Sequence, residues 1–223
     1  MIYVSQQLHV HQIVLVGLSF GELAVRDLIC ALSETIKNKV VGHLSINGIF
    51  CSQDLKPSYQ IIVPLLSTRL AKVLLGIIEH LDKNQRPFIW NAFQMRVYIP
   101  SHRKNDKSKT YQESLQKLQK AGMLGLTSGL SDRARQLLQA TQPQMMGAIP
   151  TIAIASTDDD TYKNPKTSST AINSAQRIVD LFTNVSSKVV ILENAGHAAL
   201  VENPEPYNGA IREALHSFGR KEL

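Results

Sequence analysis

The sequence predicts one α/β domain, in which a mostly parallel sheet carries helices on its faces. Two observations predict this fold class. The first is that short apolar runs, typical of buried parallel strands, alternate with segments of helical period. The second is that glycine-containing or polar turns separate the apolar runs from the helical segments. The chain is 223 residues long and 43% hydrophobic, which is enough to bury one sizeable core. This composition excludes a disordered tail, a collagen and a disulfide-stapled miniprotein.

The predicted elements alternate along both ends of the chain. An apolar strand at 13–16 precedes a helix at 21–32, in which apolar residues recur every three or four positions. The further elements are a strand at 40–50, a strand at 151–155, a helix at 168–182, a strand at 188–192 and a helix at 204–218. Because strands that alternate with helices form parallel sheets, residues 1–50 and 148–223 are predicted to form the α/β core.

Residues 51–147 break this pattern and are predicted to form a helical lid inserted over one edge of the sheet. Its helix at 65–81 is apolar on one side and interrupted by charges, which argues against a membrane span. Segment 80–120 holds nine basic and three acidic residues, a surplus equal to the whole net charge of +6. Since a basic loop, such as the one around Arg103, is most often a solvated surface, we expect no nucleic-acid partner.

The cysteines, the histidines and the N-terminus argue against several other kinds of protein. Cys30 and Cys51 lie in apolar surroundings without metal-ligand spacing, and are predicted to be core thiols. The seven histidines show no spacing typical of a metal site, so we expect neither a metal nor an organic cofactor. The first residues lack the basic and apolar regions of a secretory signal, which predicts a cytoplasmic protein.

One short motif points to nucleophilic catalysis. The sequence Gly-Leu-Ser-Phe-Gly at 17–21 matches G-x-S-x-G and lies between a predicted strand and a predicted helix. In that context a sharp turn exposes the serine hydroxyl at the carboxyl edge of the sheet. Ser19 is therefore the candidate nucleophile. The backbone N–H of Phe20, at the start of the helix, is the candidate donor to a developing oxyanion.

A serine nucleophile needs a base to take its proton and an acid to orient that base. His197 follows the strand at 188–192, and three aspartates, Asp158, Asp159 and Asp160, follow the strand at 151–155. Carboxyl ends of parallel strands share one edge of a sheet, so these side chains are predicted to lie near Ser19. Asp54, after the second strand, is a rival for the orienting acid.

Three segments of the chain, 13–21, 149–159 and 194–206, resemble the nucleophile, acid and histidine segments of the α/β-hydrolase superfamily of serine esterases, lipases and thioesterases. In that family the acid lies three residues past a small residue that closes its strand, a place that Ser156 takes here. The resemblance therefore implies a catalytic triad of Ser19, Asp159 and His197. It also implies hydrolysis of a small-molecule carboxylic ester or thioester through an acyl-enzyme, without cofactor or metal.

The chain departs from the family pattern at two places. Glu22 stands where a second glycine is common, and is expected to bring a side chain near the site. Family members have several strands before the nucleophile, for which residues 1–12 are too short, so the strand at 13–16 is expected to be an apolar sheet edge. A homodimer or a partner chain would cover that edge. The alternatives to an active enzyme are a catalytically impaired or inactive hydrolase-like binding protein, and a fragment of a longer hydrolase.

Overall fold

The computed structural model describes residues 11–68, 73, 146–162, 171–197, 199 and 204–219. Nearly all of the predicted lid, including most of the helix at 65–81 and the basic loop around Arg103, lies outside these residues. The described residues therefore belong mainly to the predicted core and to the first part of the predicted lid.

Four parallel strands form one sheet. They are β1 (Ile13–Leu18), β2 (Val40–Ile46), β3 (Thr151–Ser156) and β4 (Lys188–Leu192), and their order in the sheet follows their order in the chain. The pairing brings Leu18 of β1 beside Ile46 of β2, and Ser156 of β3 beside Leu192 of β4. The carboxyl ends of the strands therefore lie along a common edge, which confirms the predicted α/β class.

Five helices accompany the sheet in the described part of the chain. They are α1 (Gly21–Ala31), the short α2 (Glu34–Lys37), α3 (Pro57–Leu66), α4 (Ala171–Val179) and α5 (Pro204–Gly219). A single 3-10 turn, Ser52–Asp54, precedes α3. Proline at the first position of α3 suits a helix start, because the N–H that proline lacks has no partner within the first turn.

The helices pack on both faces of the sheet. On one face, Leu15 of β1 belongs to an apolar cluster with Ile29 of α1 and Ile178 of α4. On the other face, strands β2, β3 and β4 pack against α5 in a second cluster. That cluster includes Leu44, Ile46, Ile152, Ile154, Leu192, Tyr207, Ala214 and Phe218. The three-layer arrangement holds the strand ends, and the loops that leave them, in fixed positions.

β1 is an edge strand among the described residues, and one of its faces is only half covered. Val16 is 53% exposed and Leu18 is 50% exposed, on the face that α5 covers elsewhere in the sheet. The prediction that this strand is buried on both faces is therefore wrong. Among the described residues, α5 packs most extensively on β2 and β4.

The elements differ from the sequence prediction in four details. β2 ends at Ile46 and not near residue 50, because Asn47 turns out of the strand with a φ of 45°. Helix α4 ends at Val179 and not at residue 182, and α3 begins at Pro57, eight residues before the helix predicted at 65–81. Cys51 is buried as expected, but Cys30 is exposed on the outer side of α1, so it is not a core thiol.

Candidate active site

Ser19 lies in the sharp turn between β1 and α1. Its φ is 54°, a left-handed conformation that is uncommon for a residue with a side chain. Its N–H donates to the carbonyl of Ile46 (3.0 Å), and its own carbonyl accepts from the N–H of Glu22 (3.1 Å). These backbone bonds tie the strained turn to β2 and to the first turn of α1, and they leave the Ser19 hydroxyl at the carboxyl edge of the sheet.

The two glycines of the motif contribute differently to this turn. A Cβ at Gly17 would lie 2.7 Å from a carboxylate oxygen of Glu22 and 2.8 Å from its Cα, so the close approach of strand and helix requires glycine there. A Cβ at Gly21 would meet nothing within 4 Å. The structure therefore assigns the crowding at the turn to Gly17 alone.

His197 lies in the loop after β4 and joins two of the predicted site residues. Its Nε2 is 2.8 Å from the Ser19 hydroxyl, and its Nδ1 is 2.7 Å from Oδ2 of Asp159. The imidazole is only 12% exposed, so little water competes for these contacts. The three side chains form one continuous hydrogen-bonded chain, although 178 positions separate Ser19 from His197.

Asp159 is the one aspartate of its loop whose carboxylate contacts His197. The residue is 2% exposed, and its second carboxylate oxygen, Oδ1, accepts a hydrogen bond from the N–H of Thr161 (3.0 Å). Asp158 instead accepts from the Thr157 hydroxyl, and Asp160 pairs with Lys56. The turn after β3 thus points its three carboxylates in three directions.

Asp54, the rival acid, is placed away from His197. Its buried carboxylate pairs with Arg177 and accepts hydrogen bonds from the Ser174 hydroxyl (3.2 Å) and the Cys51 N–H (3.2 Å). Asp54 links the segment after β2 to α4, and these contacts are separate from those of His197.

Phe20 occupies the N-cap position of α1, next to Ser19. Its carbonyl accepts a hydrogen bond from the N–H of Leu23. In the described part of the chain, no group accepts a hydrogen bond from the N–H of Phe20 itself. A helix N-terminus carries partial positive charge, so this N–H is suited to an anionic oxygen beside Ser19.

Glu22 turns beneath the site and not into it. Its carboxylate and the imidazole of His43 are both fully buried, with Oε2 3.1 Å from Nε2. Burial by itself raises the pKa of Glu22, but the charge and hydrogen bond of His43, together with the charge of Arg26, outweigh it and hold the pKa below the ordinary value. The buried pair braces α1 against β2 directly under the turn that carries Ser19.

Two residues that sequence reasoning missed complete the surroundings of His197. Asn47, at the end of β2, donates from its amide to the carbonyl of His197 (3.2 Å). The buried Tyr162 donates from its hydroxyl to the carbonyl of Asn47, and its ring centroid is 6.2 Å from that of His197. Burial, and then the charge of Asp159, raise the pKa of Tyr162 well above its usual range, so the phenol stays a donor. The dipeptide Asn47-Gly48 is a turn signal, and it was the one clue in the sequence.

The described part of the chain contains neither a metal-binding group of side chains nor a helix that could span a membrane. Within those residues, histidine, cysteine, aspartate and glutamate side chains nowhere gather in the groups of three or more that could hold a metal ion. None of the helices described is both long enough and apolar enough to cross a membrane.

Comparison with known proteins identifies the architecture. No protein-family model matches the sequence, and no curated protein does. Among solved structures, an esterase from Thermogutta terrifontis matches with a TM-score of 0.63 and 18% identity, over 97% of this chain and 70% of the esterase. An α/β-hydrolase enzyme from a deep-sea metagenome library matches with a TM-score of 0.52 and 15% identity, over 99% and 70%. The protein has the α/β-hydrolase fold.

A hydrolase from Pseudomonas aeruginosa shows the same likeness, with a TM-score of 0.65 and 18% identity over 96% of this chain and 68% of that one. These identities establish the fold alone. In an α/β-hydrolase fold the nucleophile, acid and histidine follow one another along the chain, and Ser19, Asp159 and His197 have that order. These three side chains lie together at the carboxyl edge of the sheet.

Proposed function

We propose that the protein is a serine hydrolase that cleaves a carboxylic ester or thioester through an acyl-enzyme. One observation carries the proposal, the hydrogen-bonded chain from Ser19 through His197 to Asp159, with contacts of 2.8 Å and 2.7 Å. These are the distances at which a base takes a proton from a nucleophile and an acid orients the base. The likeness to solved esterases and hydrolases supports the same reading.

The first half of the reaction acylates Ser19. A neutral His197 keeps its Nδ1 proton, which is hydrogen-bonded to Asp159, and accepts the Ser19 hydroxyl proton at Nε2. The Ser19 oxygen then forms a bond to the substrate carbonyl carbon, and the carbonyl electron pair moves to its oxygen. The N–H of Phe20 stabilises this oxyanion. When the tetrahedral species collapses, the alcohol or thiol leaves with the proton held by His197.

The second half releases the acid. A water molecule gives a proton to Nε2 of His197 and attacks the acyl carbon, and the new oxyanion again faces the N–H of Phe20. Collapse returns the proton to Ser19 and frees the carboxylic acid, so the enzyme is restored. The Thr161 N–H holds the far oxygen of Asp159 throughout, which keeps the near oxygen on Nδ1 of His197.

The proposal is tested by labelling the purified chain with a fluorophosphonate probe, which reacts with activated serines. We expect labelling at Ser19 that disappears in Ser19→Ala and His197→Ala. Ser67→Ala, which alters a partly exposed serine at the C-terminal end of α3, is the matched control and should label normally. Absence of labelling in a folded, monodisperse protein would reject the enzyme and favour the hydrolase-like binding protein.

A panel of p-nitrophenyl esters and acyl thioesters then tests the bond that is cleaved. Turnover of either class with a burst of product equal to the enzyme concentration is expected from an acyl-enzyme. Labelling without turnover of any member of the panel would reject hydrolysis of these two bonds, while leaving Ser19 as an activated serine.

A further inference from the structure

Asn47 lies at the end of β2, at the point where the chain leaves the sheet. It is the first residue after β2, it is 2% exposed, and its φ is 45°. Asparagine adopts this left-handed conformation more readily than most residues do. Its N–H donates to the carbonyl of Ile154 (2.8 Å), which extends the pairing of β2 with β3 by one residue. The backbone of Asn47 is therefore fixed before its side chain is considered.

The side chain of Asn47 links two loops that carry site residues. Its Oδ1 accepts a hydrogen bond from the N–H of Ser156 (3.0 Å), at the end of β3. Its Nδ2 donates to the carbonyl of His197 (3.2 Å) and lies 3.5 Å from the carbonyl of Gly196. An N–H and a carbonyl cannot exchange roles, so these partners fix which end of the amide is which.

Asn47 also contacts the loop of the acid. Its carbonyl accepts the hydroxyl proton of Tyr162, and the N–H of Tyr162 donates to the carbonyl of Asp159 (3.2 Å). The preceding residue, Ile46, accepts the N–H of Ser19. The end of β2 is therefore bonded to each of the three loops that carry the proposed triad.

We propose that Asn47 is a positioning residue that holds the backbone of His197, so that the imidazole stays in register between Ser19 and Asp159. It touches neither substrate nor the reacting atoms. Its amide gives the carbonyl of His197 a donor, and the catalytic consequence rests on the proposed hydrolase function. A displacement of about 1 Å at a catalytic group can cost roughly a hundredfold in rate, which makes a single buried amide important for activity.

Two substitutions of Asn47 separate the possible reasons for a loss. Asn47→Gly keeps the left-handed backbone without strain and removes the whole amide. Asn47→Asp keeps an oxygen for the N–H of Ser156 but has no donor for the carbonyl of His197. Ser174→Ala is the matched control, because it also removes a buried polar group, a hydroxyl that accepts from the N–H of Phe50 and donates to Asp54, without contacting the loop of His197. All are studied at a temperature at which circular dichroism shows them folded.

The first readout is the NMR signal of the Nδ1 proton of His197, which a short bond to a buried carboxylate moves to low field. Its loss in His197→Ala assigns it. We expect the signal in the wild type and in Ser174→Ala, and its loss or broadening in both Asn47 variants. The second readout is the rate of fluorophosphonate labelling, which we expect to fall by roughly ten- to a hundredfold in both Asn47 variants and not in the control.

The outcomes distinguish this proposal from the proposed function. If the wild type is not labelled but the low-field signal depends on Asn47, the hydrolase is rejected and the positioning role is supported. If Asn47→Gly keeps both the signal and the labelling rate, the positioning role is overturned and the hydrolase stands. Retention of both by Asn47→Asp would overturn it as well, because the donor to His197 would then be dispensable.

Discussion

Three aspartates follow β3 in succession, and the fold presents one of them to His197. The carboxylate of Asp159 is buried, held by the N–H of Thr161 and 2.7 Å from Nδ1 of His197, while Asp158 accepts a hydrogen bond from a neighbouring hydroxyl. A one-residue difference along the chain thus separates the proposed orienting acid from a partly exposed carboxylate. This separation can be tested with isosteric changes.

Asp159→Asn is expected to slow labelling of Ser19 by roughly 10³- to 10⁴-fold, because an amide in place of the carboxylate favours the wrong tautomer of the base. Asp158→Asn is the matched control and is expected to react at the wild-type rate. The measurement is the second-order rate constant for a fluorophosphonate. Equal losses in the two variants would show that the loop as a whole, and not one carboxylate, supports the reaction.

Glu22 and His43 form a buried pair that contributes to the stability of the folded chain. Because the pKa of Glu22 is lower in the folded chain than its ordinary 4.5, the unfolded chain binds the proton more readily. The stabilisation from ionised Glu22 is therefore complete above about pH 4.5 and is lost as the pH falls through the folded value.

Glu22→Gln is expected to lower the free energy of unfolding at pH 7 by about 1.5–3 kcal/mol, the range for a hydrogen bond to a charged group. The difference from the wild type should shrink as the pH falls through and below 4.5. Urea unfolding at several pH values measures it. Glu213→Gln removes an exposed partner of Lys188 and is expected to show little effect at any pH. A difference between Glu22→Gln and wild type that does not change with pH would contradict the assigned ionisation.

At this scale, local chain signals found some residues and could not find others. Ser19 and His197 lie in short motifs that a strand precedes, and their proposed roles were inferred from the turn chemistry and the strand edge. Asn47 donates to the carbonyl of His197 across 150 positions, and Tyr162 donates to the carbonyl of Asn47 across 115 positions. The turn signal at Asn47-Gly48 marks the end of β2 but does not indicate these contacts, because register and loop path bring them about.

Elements with strong periodicity were predicted well, and elements bounded by special backbone geometry were not. Strand β4 has the predicted bounds, and helix α5 extends the prediction by one residue. Strand β2 ends earlier because Asn47 leaves the extended region. Helix α3 begins earlier than the helix predicted at 65–81, because Pro64 lies inside α3 and proline usually interrupts a helix.

The packing of α5 on β2 depends on the absence of a side chain at Gly42. A Cβ there would lie 2.3 Å from the ring of Phe218, so the helix could not keep its distance from the sheet. Gly42→Ala is expected to destabilise the fold by about 1–3 kcal/mol through overpacking. Phe218→Leu in the same chain should recover part of the loss, and urea unfolding of the two single variants and the double variant measures the coupling.

Gly209, inside α5, provides the control for that substitution. A Cβ there meets nothing within 4 Å. Gly209→Ala is therefore expected to stabilise the protein by about 0.5–1 kcal/mol, since alanine is the better helix former. If both alanines destabilised the fold equally, a general intolerance of α5, and not the contact with Phe218, would be the cause.

In the described part of the chain, the strands of the sheet are covered unequally. Strands β2 and β3 are paired on both sides and covered by helices, whereas β1 forms one edge and exposes Val16 and Leu18 on the face that α5 leaves open. Apolar side chains on an edge strand favour pairing with another surface, because unpaired backbone groups and exposed apolar area lie together. The predicted partner or second copy would meet the protein at this edge.

Val16→Lys is expected to reduce any self-association of the purified chain, because a lysine on an edge strand opposes docking of a second apolar surface. Sedimentation velocity over a hundredfold range of concentration measures the effect. Val185→Lys is the control, since Val185 is fully exposed in the loop before β4 and far from the β1 edge. Association that both lysines weaken equally would reflect net charge alone. A wild type that remains monomeric at every concentration would show that a second copy does not cover β1, and the search for its partner would turn to other chains.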